Sequence, residues 1–178
     1  DLPAGNVDRI HHDNVHGFAA RDDNTLFGRL ILEINQAGLN WTMILKKQMN
    51  FYNAFDGFDV ERVSGYSESD IKRLLDDPGI VRNRRKVEAV IHNARVIREI
   101  QTDYASFCNW LYYHHPRKLN DWTAIFKERF RFVGPEIVNE FLMSTGFLPG
   151  AHTPDCHVYR RVLLSDPAWL KKDPGQPS

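Results

Sequence analysis

The chain has 178 residues, of which 42% are apolar and 26% charged, and its 23 basic side chains balance 23 acidic ones. Zero formal charge excludes a general polyanion-coating protein but leaves room for a local patch that neutralises a few phosphates. No run of about 18 apolar residues could span a bilayer, and the only cysteines, Cys108 and Cys156, exclude a disulfide framework and suit a reducing, cytoplasmic compartment.

Apolar residues recur at helical spacing almost throughout, with no alternating stretch long enough for a strand, so the expected fold is all α. Asn24 reads as the cap of a helix that carries Leu26, Phe27, Leu30, Ile31 and Ile34 on one face and stops at Gly38. Glu33 sits in that helix between Leu32 and Ile34, where a carboxylate is either half-exposed or functional. A second helix follows Asn40, with Trp41, Ile44 and Leu45 inward and Lys46 and Lys47 outward. Ser67 and Asp70 have capping-box spacing ahead of Ile71, Leu74 and Leu75.

After the Pro78-Gly79 turn, Val87, Val90, Ile91, Ala94 and Ile97 form one amphipathic stripe. Tyr104, Phe107 and Leu111 predict a helix ending by Pro116, and Trp122, Ile125 and Phe126 another after Asn120. Phe132 to Gly134 then reads as a hairpin feeding a helix that starts at Pro135 and stops at Gly146. Thr153-Pro154-Asp155 opens the last helix, and from about residue 165 the chain reads as a tail. The expected organisation is one unit over residues 1–178, with two helical lobes around a central groove.

Several residues carry chemistry. A glycine at a helix start lets backbone amides approach an anion, so Gly134 and the amides after it could hold one DNA phosphate. Trp41 offers an indole face to a cation, and Glu33 a carboxylate to pair with it, although core packing accounts for Trp41 equally well. Arg82, Arg84, Arg85 and Lys86, like Lys127, Arg129 and Arg131, read either as phosphate-binding patches or as solvated helix faces. His11, His12 and His16 near the start, with His152, Cys156 and His157 near the end, offer zinc-type ligands.

Four blocks resemble the DNA-3-methyladenine glycosylase I family of the helix-hairpin-helix glycosylase superfamily. They are HHDNVHG from His11 to Gly17, LEINQAGLNWTMILKK from Leu32 to Lys47, GIVRNRRKVEAVIHNA from Gly79 to Ala94, and FRFVG from Phe130 to Gly134. The resemblance implies a monomeric repair enzyme that everts an alkylated purine from double-stranded DNA, stacks it on Trp41 and reads it with Glu33. It places His11, His16 and Gln36 with the base pocket, and Val133, Gly134, Glu136, Lys46, Arg82 and Arg84 on DNA. No cofactor is implied for the chemistry. A structural zinc is implied on His12, His152 and Cys156, whose fourth ligand, a Cys upstream of His12, has no counterpart in this sequence.

Three departures stand out. His11 replaces a Tyr, and Val15 and His16 replace Glu-Trp, which thins the aromatic cage and broadens the alkyl-base specificity expected. Where bifunctional relatives carry a nucleophilic Lys, Glu136 stands here, implying water as nucleophile and no strand cleavage. Asp155 to Val162, DCHVYRRV, resembles a segment of endonuclease-III-like glycosylases whose Asp is catalytic, so Asp155 joins Glu33 as a catalytic candidate. The competing reading is a catalytically silent DNA-damage recognition module of the same fold; a metal-dependent hydrolase built on the histidines is a third.

Overall fold

A computed structural model describes residue 3 and residues 5–171. Eleven α-helices follow one another with no strand among the described residues. They are α1 Val7–Asn14, α2 Asp23–Gln36, α3 Trp41–Lys46, α4 Gln48–Ala54, α5 Val60–Ser64 and α6 Glu68–Asp76. After these come α7 Arg84–Tyr104, α8 Phe107–His114, α9 Leu119–Arg129, α10 Pro135–Ser144 and α11 Tyr159–Leu164, with 3-10 turns at Asp56–Phe58 and Ala168–Leu170.

The organising element is α2. Its apolar residues are not confined to one stripe: Leu26, Phe27, Leu30, Ile31, Leu32 and Ile34 are all buried, and a helix apolar on most sides must be enclosed by others. It packs against α3, α4, α5, α7, α8 and α10. Asp22, rather than Asn24, caps it, accepting from the Thr25 amide at 2.8 Å. Asn24 instead accepts the Val60 amide at 3.1 Å, tying the start of α5 to α2. Asp23 reaches across to the start of α8 and accepts the amides of Phe107 and Cys108 at 2.9 and 3.0 Å.

At its other end α2 is closed by a lysine. Lys86, expected in an exposed basic cluster, is only 5% exposed, and its Nζ donates to the carbonyls of Asn35 and Ala37, each at 2.8 Å. Cations belong at a helix C-terminus, where carbonyls lack partners. Around this helix the Asn40 cap and the Ser67/Asp70 capping box form as the sequence predicts. A left-handed Ala105 separates α7 from α8, so Tyr104 ends one helix and does not begin the next.

Helices α9 and α10 are joined by residues 130–134, the segment expected as a hairpin. Asn93 of α7, fully buried, clamps the loop by donating to the Arg131 carbonyl at 3.0 Å and accepting its amide at 2.8 Å. His92 meets the Arg129 carbonyl at 3.0 Å. The last helix starts at Tyr159, four residues later than Asp155 would have it. Of the segment expected as a tail, part docks on the body: Ala168 is buried and the Trp169 amide donates to the Gly146 carbonyl at 3.3 Å. Residues 172–178 lie outside the described part.

Candidate active site

Short-range caps deliver the site residues. Asn6 caps α1, accepting the amides of Asp8 and Arg9, and Thr42 of α3 donates its hydroxyl to Asp8 at 2.8 Å. That contact seats α1 on α3 and brings the His11 ring edge-on to Trp41, with centroids 5.2 Å apart. His16 stands 5.9 Å from His11. The chain then turns sharply at Gly17, whose φ is +81° and where a Cβ would lie 2.7 Å from Ala151. Only glycine fits there without strain.

Glu33 projects from α2 into a cavity of about 790 Å³ whose lining includes His11, His16, Gln36 and Trp41 together with Gly134, Glu136 and Glu140 of the hairpin side. Its volume falls within the range of small-molecule sites, roughly 300–1,000 Å³. A second cavity of about 480 Å³ shares His11, Glu33 and Trp41 as walls and extends past Leu32, Tyr52 and Phe58. Helix α1 from the start of the chain, α2 and α10 thus converge on one hollow.

Burial dominates the electrostatics. Glu33 is 7% exposed; burial, and after it the charge of Glu140, push its carboxyl from an ordinary 4.5 up to about 8, against the pull of Arg29. His11 and His16 are pushed down to about 4, chiefly by burial, and so are neutral imidazoles near neutral pH. Both His11 ring nitrogens are buried with no hydrogen-bond partner among the described residues. Arg29, one helical turn before Glu33, is lowered to about 10 by burial and donates to the carbonyls of Phe18 and Ser144. Near neutral pH the interior of the site therefore holds a mostly protonated carboxyl and neutral imidazoles against an indole, with the buried Arg29 cation behind them.

At the rim, α10 begins after Gly134 with no described side chain capping it, which among the described residues leaves its first amides open to an anion. A Cβ at Gly134 would meet nothing within 4 Å, and its φ of −69° is open to any residue. No described residue requires glycine there, and the bare backbone leaves room for a close external approach. Val133 is buried, so only its backbone could touch DNA. Beside it Phe132 is exposed in a left-handed conformation, φ 60°. Lys46 and Arg82 are exposed. Arg84 is not free as expected: it pairs with Glu68 at 2.6 Å and Glu88 at 3.1 Å, which satisfies its charge within the protein.

The three expected metal ligands meet. Cys156 Sγ lies 3.6 Å from His12 Nε2 and 3.4 Å from His152 Nδ1. Zinc bonds of about 2.0 Å to nitrogen and 2.3 Å to sulfur, at a tetrahedral angle, put N and S about 3.5 Å apart, so the donor set fits that ion. The other ring nitrogens are also engaged, His12 Nδ1 with Asp13 at 2.8 Å and His152 Nε2 with the His16 carbonyl at 2.8 Å, the outer contacts that orient metal-bound imidazoles.

Asp155 does not join the site. It is exposed, lines neither cavity, and its carboxyl is held below the usual carboxylate range by the Thr153 hydroxyl. Because α11 starts late, Asp155 lies in a turn ahead of the helix and not in its first turn. Glu140 and Asn93 are not singled out by the sequence, and Lys86 reads there only as part of a basic cluster. Glu140 carried the same signal as Glu33, an acidic residue beside an apolar pair, Phe141 and Leu142.

Known proteins resemble this chain in sequence and in fold. The family model for methyladenine glycosylase matches residues 5–125. DNA-3-methyladenine glycosylase 1 of Escherichia coli (strain K12) is 32% identical over 168 residues, covering 84% of this chain and 89% of that protein. The DNA-3-methyladenine glycosylase of Haemophilus influenzae is 28% identical, covering 82% and 89%. Among solved structures, a variant of 3-methyladenine DNA glycosylase I in complex with 3-methyladenine superposes with a TM-score of 0.80 at 31% identity, covering 88% of this chain and 94% of that one. The Staphylococcus aureus enzyme, solved for its recognition of 3-methyladenine, gives 0.79 at 32% identity, covering 88% and 93%.

Proposed function

The chain belongs to the methyladenine glycosylase family, and from that premise we propose that it hydrolyses the N-glycosidic bond of alkylated purines in double-stranded DNA, with Glu33 and Trp41 holding the everted base. One observation carries the assignment of residues: a buried carboxyl and an indole wall the same cavity, beside an uncapped helix start. The α10 amides anchor one phosphate through Gly134 and Glu136, and the exposed Lys46 and Arg82 add positive charge along the DNA path.

A purine alkylated on a ring nitrogen carries positive charge and leaves readily. The C1′–N bond breaks, its electron pair passes to the base and neutralises it, and the positive charge moves to the sugar. Water adds at C1′ and loses a proton. Glu33 orients the base and, once ionised, balances the charge. Among the described residues no lysine lines the cavity to attack the sugar in place of water, in keeping with base release without strand cleavage. His11 and His16, smaller than the aromatic residues they replace, favour a broader range of alkyl bases.

His12, His152 and Cys156 would hold a zinc ion that pins the chain's two ends together and takes no part in the reaction. We place the enzyme in the cytoplasm as a monomer; no helix among the described residues is long and apolar enough to cross a membrane. Incubation with methylated DNA, followed by chromatography of the freed bases, tests the function. Glu33→Gln should lower release at least a hundredfold, while Asp155→Asn should stay within about twofold of wild type. Binding of methylated duplex without release by the wild type would overturn the reading.

A further inference from the structure

The cavity is acidic in a protein whose substrate is a polyanion. Asp8, Glu33, Glu136 and Glu140 line it and, among the described residues, no lysine or arginine does; the one buried cation close by, Arg29, walls the adjoining cavity and donates to the carbonyls of Phe18 and Ser144. Such a lining opposes nucleic acid unless the group that enters brings positive charge. Glu140 is the informative member. It projects from α10, the helix launched by the hairpin, while Glu33 comes from α2, so the two carboxyls reach the cavity from separate elements. It is half-buried, and no ion pair to it occurs among the described residues. The unpartnered His11 nitrogens face the same hollow.

We propose that Glu140 is a specificity-determining residue of the base cavity, its carboxylate serving with Glu33 as the counter-charge that admits cationic alkylated purines over neutral ones. The inference rests on the glycosylase reading above. Two carboxyls in a poorly hydrated hollow disfavour each other's ionisation; a base cation relieves that repulsion, and a neutral purine does not. The raised position of both carboxyls, Glu33 through burial and Glu140's charge, and Glu140 through burial, accords with this. Because the base loses its charge as the C1′–N bond breaks, a counter-charge beside the base acts mainly on binding. Its removal should therefore appear in KM before kcat.

The test compares wild type, Glu140→Gln and Glu140→Asp on duplexes carrying 7-methylguanine, a cationic lesion, with duplexes carrying hypoxanthine, a neutral purine, as competitive inhibitors. Glu140→Gln should raise KM for the cationic lesion about tenfold, leave kcat within about twofold and leave the hypoxanthine inhibition constant unchanged. Glu140→Asp should recover part of the loss. An unchanged KM, or a parallel fall in kcat and in hypoxanthine affinity, overturns the role of Glu140 while leaving the glycosylase reading intact. Failure of the wild type to release any alkylated base overturns that reading and the proposal with it.

Discussion

Glu33 should make this protein less stable than a variant unable to carry charge at that position. Its carboxyl titrates at about 8 in the folded chain against 4.5 ordinarily, and at 7% exposure water screens it little. Below pH 4.5 both folded and unfolded chains hold the proton, and ionisation takes nothing from the fold. Between 4.5 and 8 the unfolded chain releases the proton while the folded one keeps it, so stability falls by about 1.4 kcal/mol per pH unit. Above 8 the full penalty applies, about 5 kcal/mol on this reckoning. Glu33→Gln removes the titration. Urea denaturation of wild type and variant at pH 5 and pH 8.5 should therefore show nearly equal stabilities at the lower pH and a variant more stable by several kcal/mol at the higher. The same ionisation sets the sign for activity: kcat/KM on a cationic lesion should climb toward pH 8 and level off beyond it, because the free enzyme must give up that proton to pair with the base. A stability difference independent of pH would refute the buried-carboxyl argument.

Other residues give sharper local tests. Lys86→Met deletes two charge-assisted hydrogen bonds to the C-terminal carbonyls of α2 and should cost about 2–4 kcal/mol, read as a lower Tm. In Gly134→Leu the new Cβ meets no described atom within 4 Å, so unfolding should change by under about 1 kcal/mol. The same variant should lose DNA affinity about tenfold or more in fluorescence anisotropy, and an unchanged Kd would remove the hairpin from the interface. Metal analysis of purified protein should find one zinc per chain, and Cys156→Ser should lose it with a lowered Tm; a metal-free wild type of unchanged stability would dismiss the site.

Much of the architecture was legible in local pattern. Helical spacing, the Asn40 cap, the Ser67/Asp70 box and the Pro135 start each depend on residues within one or two turns, and such short-range chemistry survives any tertiary arrangement. The short helices α4 and α5 escaped notice because neither has room for a full apolar repeat. Glu33, Trp41, Gly134 and the His12, His152 and Cys156 set were nominated from the chain and do come to common places.

What the chain alone could not supply was proximity and desolvation. Arg84 and Lys86 looked alike in sequence, yet one is tied to Glu68 and Glu88 at the surface and the other is sunk into the end of α2. Glu33, Glu140 and Asp155 were three acidic residues on three segments; packing of α10 against α2 put two of them in one hollow and left the third in solvent. Periodicity states which face of a helix turns inward. Which distant helix it then meets, and how much water that contact expels from a charged group, is set only when α1, α2 and α10 close on one another, and the ionisation of the site follows from that closure.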